Sequence, residues 1–190
     1  MLNTILLRIA KSVILTQFDK SHHIDREGLL KEYPFLDEDA ASFVTLKYKG
    51  QLRGCIGSIE VHEKLLDNLI HNAKSAAFTD PRFTPLKSNE LLHLSLEVSV
   101  LSEPKLLEYD DFDDLLTKVI PNIDGLVLKY GAYQGTFLPQ VWEELPKPKD
   151  FLDHLSRKAG SDSSIYKEHP SIYRYSVDAI EDDFNKIKAL

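Results

Sequence analysis

The residues best able to do chemistry lie in one short run, Leu52-Arg53-Gly54-Cys55-Ile56-Gly57, which holds the single cysteine of the 190-residue chain. Read as a β-strand, the run puts Arg53 and Cys55 on one face about 7 Å apart, close enough for the guanidinium to favour a thiolate. Gly54 and Gly57 lack side chains, so a ligand or another backbone can approach Cys55 closely, or the strand can bulge there. A nucleophilic or redox thiol fits this setting. So does a small buried hydrophobe whose neighbouring glycines serve strand packing, because free cysteine is among the most buried residue types.

A second run, from Ala76 to Leu86, combines a helix end, a rigid Asp80-Pro81 turn and Arg82. Arg82 is suited to hold a substrate carboxylate or phosphate through paired hydrogen bonds, or else to pair with Asp80. Glu97, on the polar side of an alternating strand, is a candidate general base. Of the seven histidines, His93 on that polar side and His154 beside Arg157 and Lys158 are the candidate site residues. The histidines and Cys55 form no recognised zinc spacing, so no metal is expected. Neither phosphate-cradling glycine motif occurs, so nucleotide binding through such loops is unsupported and the cofactor is left unknown by the sequence. Tyr166, Tyr173 and Tyr175 could stack on bases, but hydrophobic packing accounts for them equally well.

The elements that must position these groups can be read from periodicity. Leu2, Ile5, Leu6, Ile9 and Val13 recur at helical spacing behind Asn3 and Thr4 as candidate caps. Ser21 to Asp39 is polar and broken at Pro34, and reads as a connection. Phe43 to Tyr48, the turn Lys49-Gly50 and Gln51 to Ile59 predict a hairpin that carries Cys55. Leu65, Leu66, Leu69, Ile70, Ala73 and Ala77 mark the next helix, which Asp80-Pro81 ends. Leu92 to Leu101 alternates strictly and predicts a strand bearing His93 and Glu97. A short helix from Phe112 to Val119, a strand from Gly125 to Tyr130, a helix from Phe151 to Ala159 and a strand from Ile172 to Val177 follow. Without a regular β-α-β rhythm the fold class is α+β: a mixed, largely antiparallel sheet flanked by helices, in one domain over 1–190 with room for two lobes.

Composition narrows the function. Apolar residues make up 43% and charged residues 28%, which fits a folded chain rather than a disordered or fibrous one. The net charge of -7 gives no global positive field, so nucleic acid is disfavoured as a partner. One cysteine cannot form an internal disulfide, which points to a reducing, cytoplasmic setting. Arg8 and Lys11 interrupt the apolar N-terminus, so no signal peptide is expected, and no later run is long enough to span a membrane.

Taken in order, Leu52 to Gly57, Ala76 to Leu86, Glu97 to Ser102, Gly125-Leu126-Val127 and Gly135 to Trp142 resemble the AMMECR family. Phe151-Leu152-Asp153-His154-Leu155 and Lys158-Ala159-Gly160 complete the series. That family is named for a human chromosomal region linked to Alport syndrome, and its prokaryotic members include AmmeMemoRadiSam system protein A. The resemblance implies an α+β fold with a cleft near Leu52 to Gly57, and an association with Memo-like and radical-SAM proteins. It implies no particular reaction. Ser156 stands where many relatives carry cysteine, so a family thiol in this chain would be Cys55.

Three functions follow as expectations. The first is an enzyme or enzyme component with Cys55 as nucleophile activated by Arg53, Glu97 or His93 moving protons, and Arg82, His154, Gly54 and Gly57 lining the substrate. The second is a non-catalytic module that binds a protein through the Leu52 to Gly57 surface. The third is a nucleic-acid-binding module, which the acidic charge opposes.

Overall fold

The computed structural model describes residues 3–190, so Leu2 of the expected first helix lies outside it. The helices are α1 (Ile5–Leu15), α2 (Arg26–Glu32), α3 (Leu65–Phe78), α4 (Phe112–Lys118) and α5 (Pro148–Lys158). The strands are β1 (Ala41–Tyr48), β2 (Gln51–Gly57), β3 (Leu94–Leu101), β4 (Lys105–Leu106), β5 (Gly125–Tyr130), β6 (Tyr133–Phe137), β7 (Ser171–Tyr175) and β8 (Val177–Asp183). The α+β class is as expected, with the strands divided between two four-stranded sheets, ordered β2-β1-β3-β8 and β4-β7-β5-β6. The hydrogen-bonded pairs β1–β2, β1–β3, β4–β7, β5–β6 and β5–β7 all run antiparallel.

The chain forms two compact units. Residues 3–101 with Asp178–Leu190 make the first, and Ser102–Val177 the second. In the first unit, alternation along β1 and β3 turns Val44, Leu46, Leu96 and Val98 to one side of the sheet, where they join Leu6 and Ile9 of α1 and Leu66, Leu69 and Ala73 of α3. Burying each of these valine, leucine and isoleucine side chains contributes roughly 1.5–3 kcal/mol, so this is what fixes the sheet against its helices. Ser42, Asn68 and Asn72 form a buried hydrogen-bonded cluster that ties β1 to α3. In the second unit, Leu126, Leu128 and Ile172 pack with Trp142, Phe151, Leu152 and Leu155, and the Trp142 and Phe151 rings stack with centroids 3.8 Å apart.

Four expectations about elements need correction. The connection from Ser21 to Asp39 contains α2, capped by the Asp25 carboxylate on the Gly28 N–H, and a 3-10 turn at Pro34–Asp37. Pro34 starts that turn instead of merely breaking the chain, since a first helical position needs no N–H. Strand β2 stops at Gly57, short of Ile59. Strand β3 begins at Leu94, because Ser88–His93 winds into a 3-10 segment whose first N–H groups include Lys87, bonded to the Glu90 carboxylate at 2.9 Å. The Ile172 to Val177 segment is split into β7 and the start of β8, which continues through an acidic stretch with no strand-like alternation.

Candidate functional site

Strand β2 lies at the edge of its sheet, paired on one side by β1. From the turn the register runs Tyr48 opposite Gln51 and Lys47 opposite Leu52, then shifts so that Leu46 faces Gly54 and Thr45 faces Cys55. Arg53 is the extra residue of a β-bulge. Were Arg53 instead paired with Leu46 in unbroken register, Cys55 would face Val44 and lie on the helix-packed side, since a one-residue slip moves every side chain to the other face. The bulge therefore puts the thiol on the opposite, half-buried polar face, and it also breaks the regular alternation that was expected to hold Arg53 beside Cys55.

The Cys55 backbone is satisfied on its outer side. Its N–H donates to Asp80 Oδ2 at 2.9 Å, and its carbonyl accepts from Arg82 Nη2 at 3.0 Å. Two side chains thus stand in for a neighbouring strand and close the open edge at this point. Thr45 and Cys55 are consequently a pair without mutual backbone bonds, the kind whose side chains approach more closely. The Thr45 hydroxyl donates to Cys55 Sγ at 3.3 Å.

Asp80 and Arg82 owe their places to the end of α3. Thr79 caps the helix, Pro81 turns the chain, and Leu86 N–H returns to the Ala77 carbonyl. The Asp80 side chain is 1% exposed and accepts from Arg82 Nε, Nη2 and N–H as well as from Cys55. These bonds, Arg82's first, hold its carboxyl well below the ordinary range despite burial. Asp80, and to a smaller degree the Cys55 side chain, raise the pKa of Arg82. The Arg82 side chain remains 52% exposed on its outer side.

Arg53 has different partners. Its Nε and Nη2 bind the Glu90 carboxylate at 2.7 and 3.1 Å, and Nη2 also reaches the Thr84 carbonyl at 2.9 Å. Glu90 is held below its usual pKa chiefly by Arg53. None of the hydrogen bonds of Arg53 goes to Cys55, so among the described residues the guanidinium associated with the cysteine is that of Arg82. The Phe83 ring lies within 6 Å of both guanidiniums, 5.9 Å from Arg53 and 5.4 Å from Arg82.

Across the sheet, Thr45 pairs with Cys55 on one side and with Glu97 on the other, so the three share one row and one face. Two strand spacings separate Cys55 from Glu97, about 10 Å at the backbone, with Thr45 between them. Glu97 binds Lys47 Nζ at 3.1 Å and accepts from Ser99. Lys47 also binds Glu181 at 2.7 Å, which in turn accepts from Ser95. Burial opposes the Lys47 charge, yet the two carboxylates outweigh it and raise its pKa.

His93 is not on the polar strand face. It is the exposed last residue of the 3-10 segment, edge-on to the Tyr48 ring at 5.9 Å. Gly54 is required where α3 crosses β2, because a side chain there would strike the Ala76 carbonyl, and one at Gly57 would strike the Phe43 ring. Both glycines make room for protein groups. His154 belongs to the second unit, exposed on α5 with Nδ1 2.9 Å from the Asp150 carbonyl. Ser156 on the same helix is fully buried and donates to the Asp153 carbonyl. Thr45, Lys47 and Asp80 were not singled out as site residues from sequence. For Asp80 the pairing with Arg82 was a usable signal, but nothing in the string revealed the bulge that brings Thr45 opposite the cysteine. Among the described residues no group of three or more metal-ligating side chains converges, and no helix is long and apolar enough to cross a membrane.

The arrangement is a half-buried thiol that accepts from a hydroxyl, on a residue whose backbone carbonyl holds a fixed guanidinium, which suits nucleophilic or redox chemistry on an anionic substrate. A family model described as AMMECR1 matches residues 7–180. A protein of Methanothermobacter thermautotrophicus is 40% identical over 143 residues, covering 74% of each chain. Protein MJ0810 of Methanocaldococcus jannaschii is 33% identical over 184 residues, covering 94% of this chain and 89% of its own. The crystal structure of uncharacterized protein PH0010 from Pyrococcus horikoshii superposes with a TM-score of 0.77 at 30% identity, covering 98% of this chain and 96% of that one.

Proposed function

We propose that this chain, which belongs to the AMMECR1 family, works as an enzyme or enzyme component through Cys55, with Arg82 rather than Arg53 as the cation that serves it. The observation that carries this reading is the Asp80–Arg82 pair: a buried carboxylate fixes a half-exposed guanidinium on the backbone of the one cysteine. A cation beside a thiol favours the nucleophilic anion, and a planar guanidinium is also a ready partner for a substrate carboxylate or phosphate. Thr45 supplies a hydrogen bond to sulfur. Glu97, opposite Thr45 on the far side of β1, would act through Thr45 or a water rather than directly. The association with Memo-like and radical-SAM proteins implied by the resemblance would make the chain one component of a larger system.

The test is the rate of iodoacetamide alkylation at neutral pH in the native protein, in Arg82→Ala and in Arg53→Ala. The expected result is rapid labelling that slows about tenfold on losing Arg82 and changes little on losing Arg53. Labelling that appears only in denaturant would mean a structural cysteine, and the non-catalytic protein-binding reading would replace this one.

A further inference from the structure

A groove of about 470 Å³ opens at the end of the first unit's sheet, between the β1–β2 turn, the end of the 3-10 segment and the turn after β8. Its walls are tied together: Lys49 N–H donates to the His93 carbonyl at 3.0 Å, Asn185 Nδ2 to the Leu92 carbonyl at 2.9 Å, and Phe184 N–H to the Leu94 carbonyl at 2.9 Å. The carboxylates that face it are already matched, Glu181 by Lys47 and Ser95, and Asp183 by Lys186 at 2.7 Å. The Lys49 ammonium and the His93 ring have no hydrogen-bonding or carboxylate partner among the described residues. Both instead lie against Tyr48, Lys49 Nζ 5.3 Å from the ring centroid and His93 edge-on.

The backbone adds a second observation. Lys49 has φ 51° and Gly50 φ 80°, a mirror-image hairpin turn whose first position favours Asn, Asp or Gly. A lysine in the left-handed region costs stability, and such outliers collect at functional sites. We infer that this groove is a binding site for a small oxyanion, a phosphate or carboxylate group held between Lys49 and His93, with the Asn185 side-chain oxygen left to accept from a hydroxyl or amine on the same ligand. The groove, with a volume of about 470 Å³, suits a small ligand. It is independent of the reading given to Cys55.

Lys49→Asn separates binding from folding. Asparagine suits the left-handed turn, so the variant should unfold at higher urea than the parent, yet bind the anion less tightly. Amide shifts would be followed while inorganic phosphate, and separately succinate, is added to the full chain. Saturable shifts at Lys49, Gly50, His93 and Asn185 are expected, with affinity falling roughly tenfold in Lys49→Asn and again in His93→Ala, as for loss of a charged hydrogen bond. A stronger response to one probe assigns the group as phosphate or carboxylate. Shifts that never saturate with either probe, or that persist unchanged in a stable Lys49→Asn, overturn the site.

Discussion

Each unit buries an aspartate against an arginine, and the two pairs behave in opposite ways. In the first unit Asp80 receives four directed N–H bonds, three from Arg82 and one from Cys55, and its carboxyl is held below the ordinary range. In the second unit Asp124 is equally hidden, 3% exposed, with Arg174 Nε at 3.2 Å, but that nitrogen is not aligned to donate. Asp124 receives the Ile120 N–H alone, Arg174 spends Nη2 on the Lys118 carbonyl, and burial raises the Asp124 pKa. Proximity of a guanidinium is therefore not what makes a buried carboxylate comfortable as an ion. The number of aimed donors decides, because each must replace part of the lost hydration. The pair beside Cys55 is built to stay charged.

Substitution tests the contrast most strongly at Asp80. Asp80→Ala strips Arg82 of its anchor and leaves the Cys55 N–H without its acceptor, so urea unfolding should show a loss of about 3 kcal/mol. A change under about 0.5 kcal/mol would mean that the pair is ornamental. Asp124→Asn should stay within about 1 kcal/mol of the parent, because the amide oxygen still accepts from Ile120 and a poorly compensated charge is removed. A loss as large as at Asp80 would erase the difference between the two pairs. The smallest effect is in the pH dependence. A carboxyl with a lowered folded pKa contributes stability above its unfolded value near pH 4, lost as the pH falls further, so Asp80→Asn should flatten the acid limb of urea midpoints. Asp124 has the opposite sign: its raised pKa favours the fold below that value and costs stability as the pH rises through it, so Asp124→Asn should gain relative to the parent toward neutrality.

Much of this was legible in the residue string. The ordered blocks gave the family, the spacing of Leu65 to Ala77 gave α3, and the alternation from Leu94 onward gave β3. Cys55, Arg82 and Glu97 were named as candidates from their types and positions, and the structure places them around one strand edge and one cross-strand row. What could not be read was register. Gln51 to Gly57 alternates as if regular, and only the pairing with β1 shows that Arg53 is an added residue directed at Glu90. Helix α2 escaped because seven residues ahead of a proline with only Leu29 and Leu30 apolar are too few to show a period, and β8 because Val177 to Asp183 gains its strand geometry from β3 rather than from its own sequence.

The bulge at Arg53 also sets a rule of inheritance for the hairpin. Because Arg53 is the residue in excess, deleting it would leave an unbroken register in which Leu46 still faces Gly54 and Thr45 still faces Cys55, so the thiol would keep its face. Ironing the bulge out with all residues kept would instead set Cys55 opposite Val44 on the helix-packed side. The hairpin can therefore shed one residue at the bulge and still present the thiol, losing the Arg53 contacts with Glu90 and Thr84.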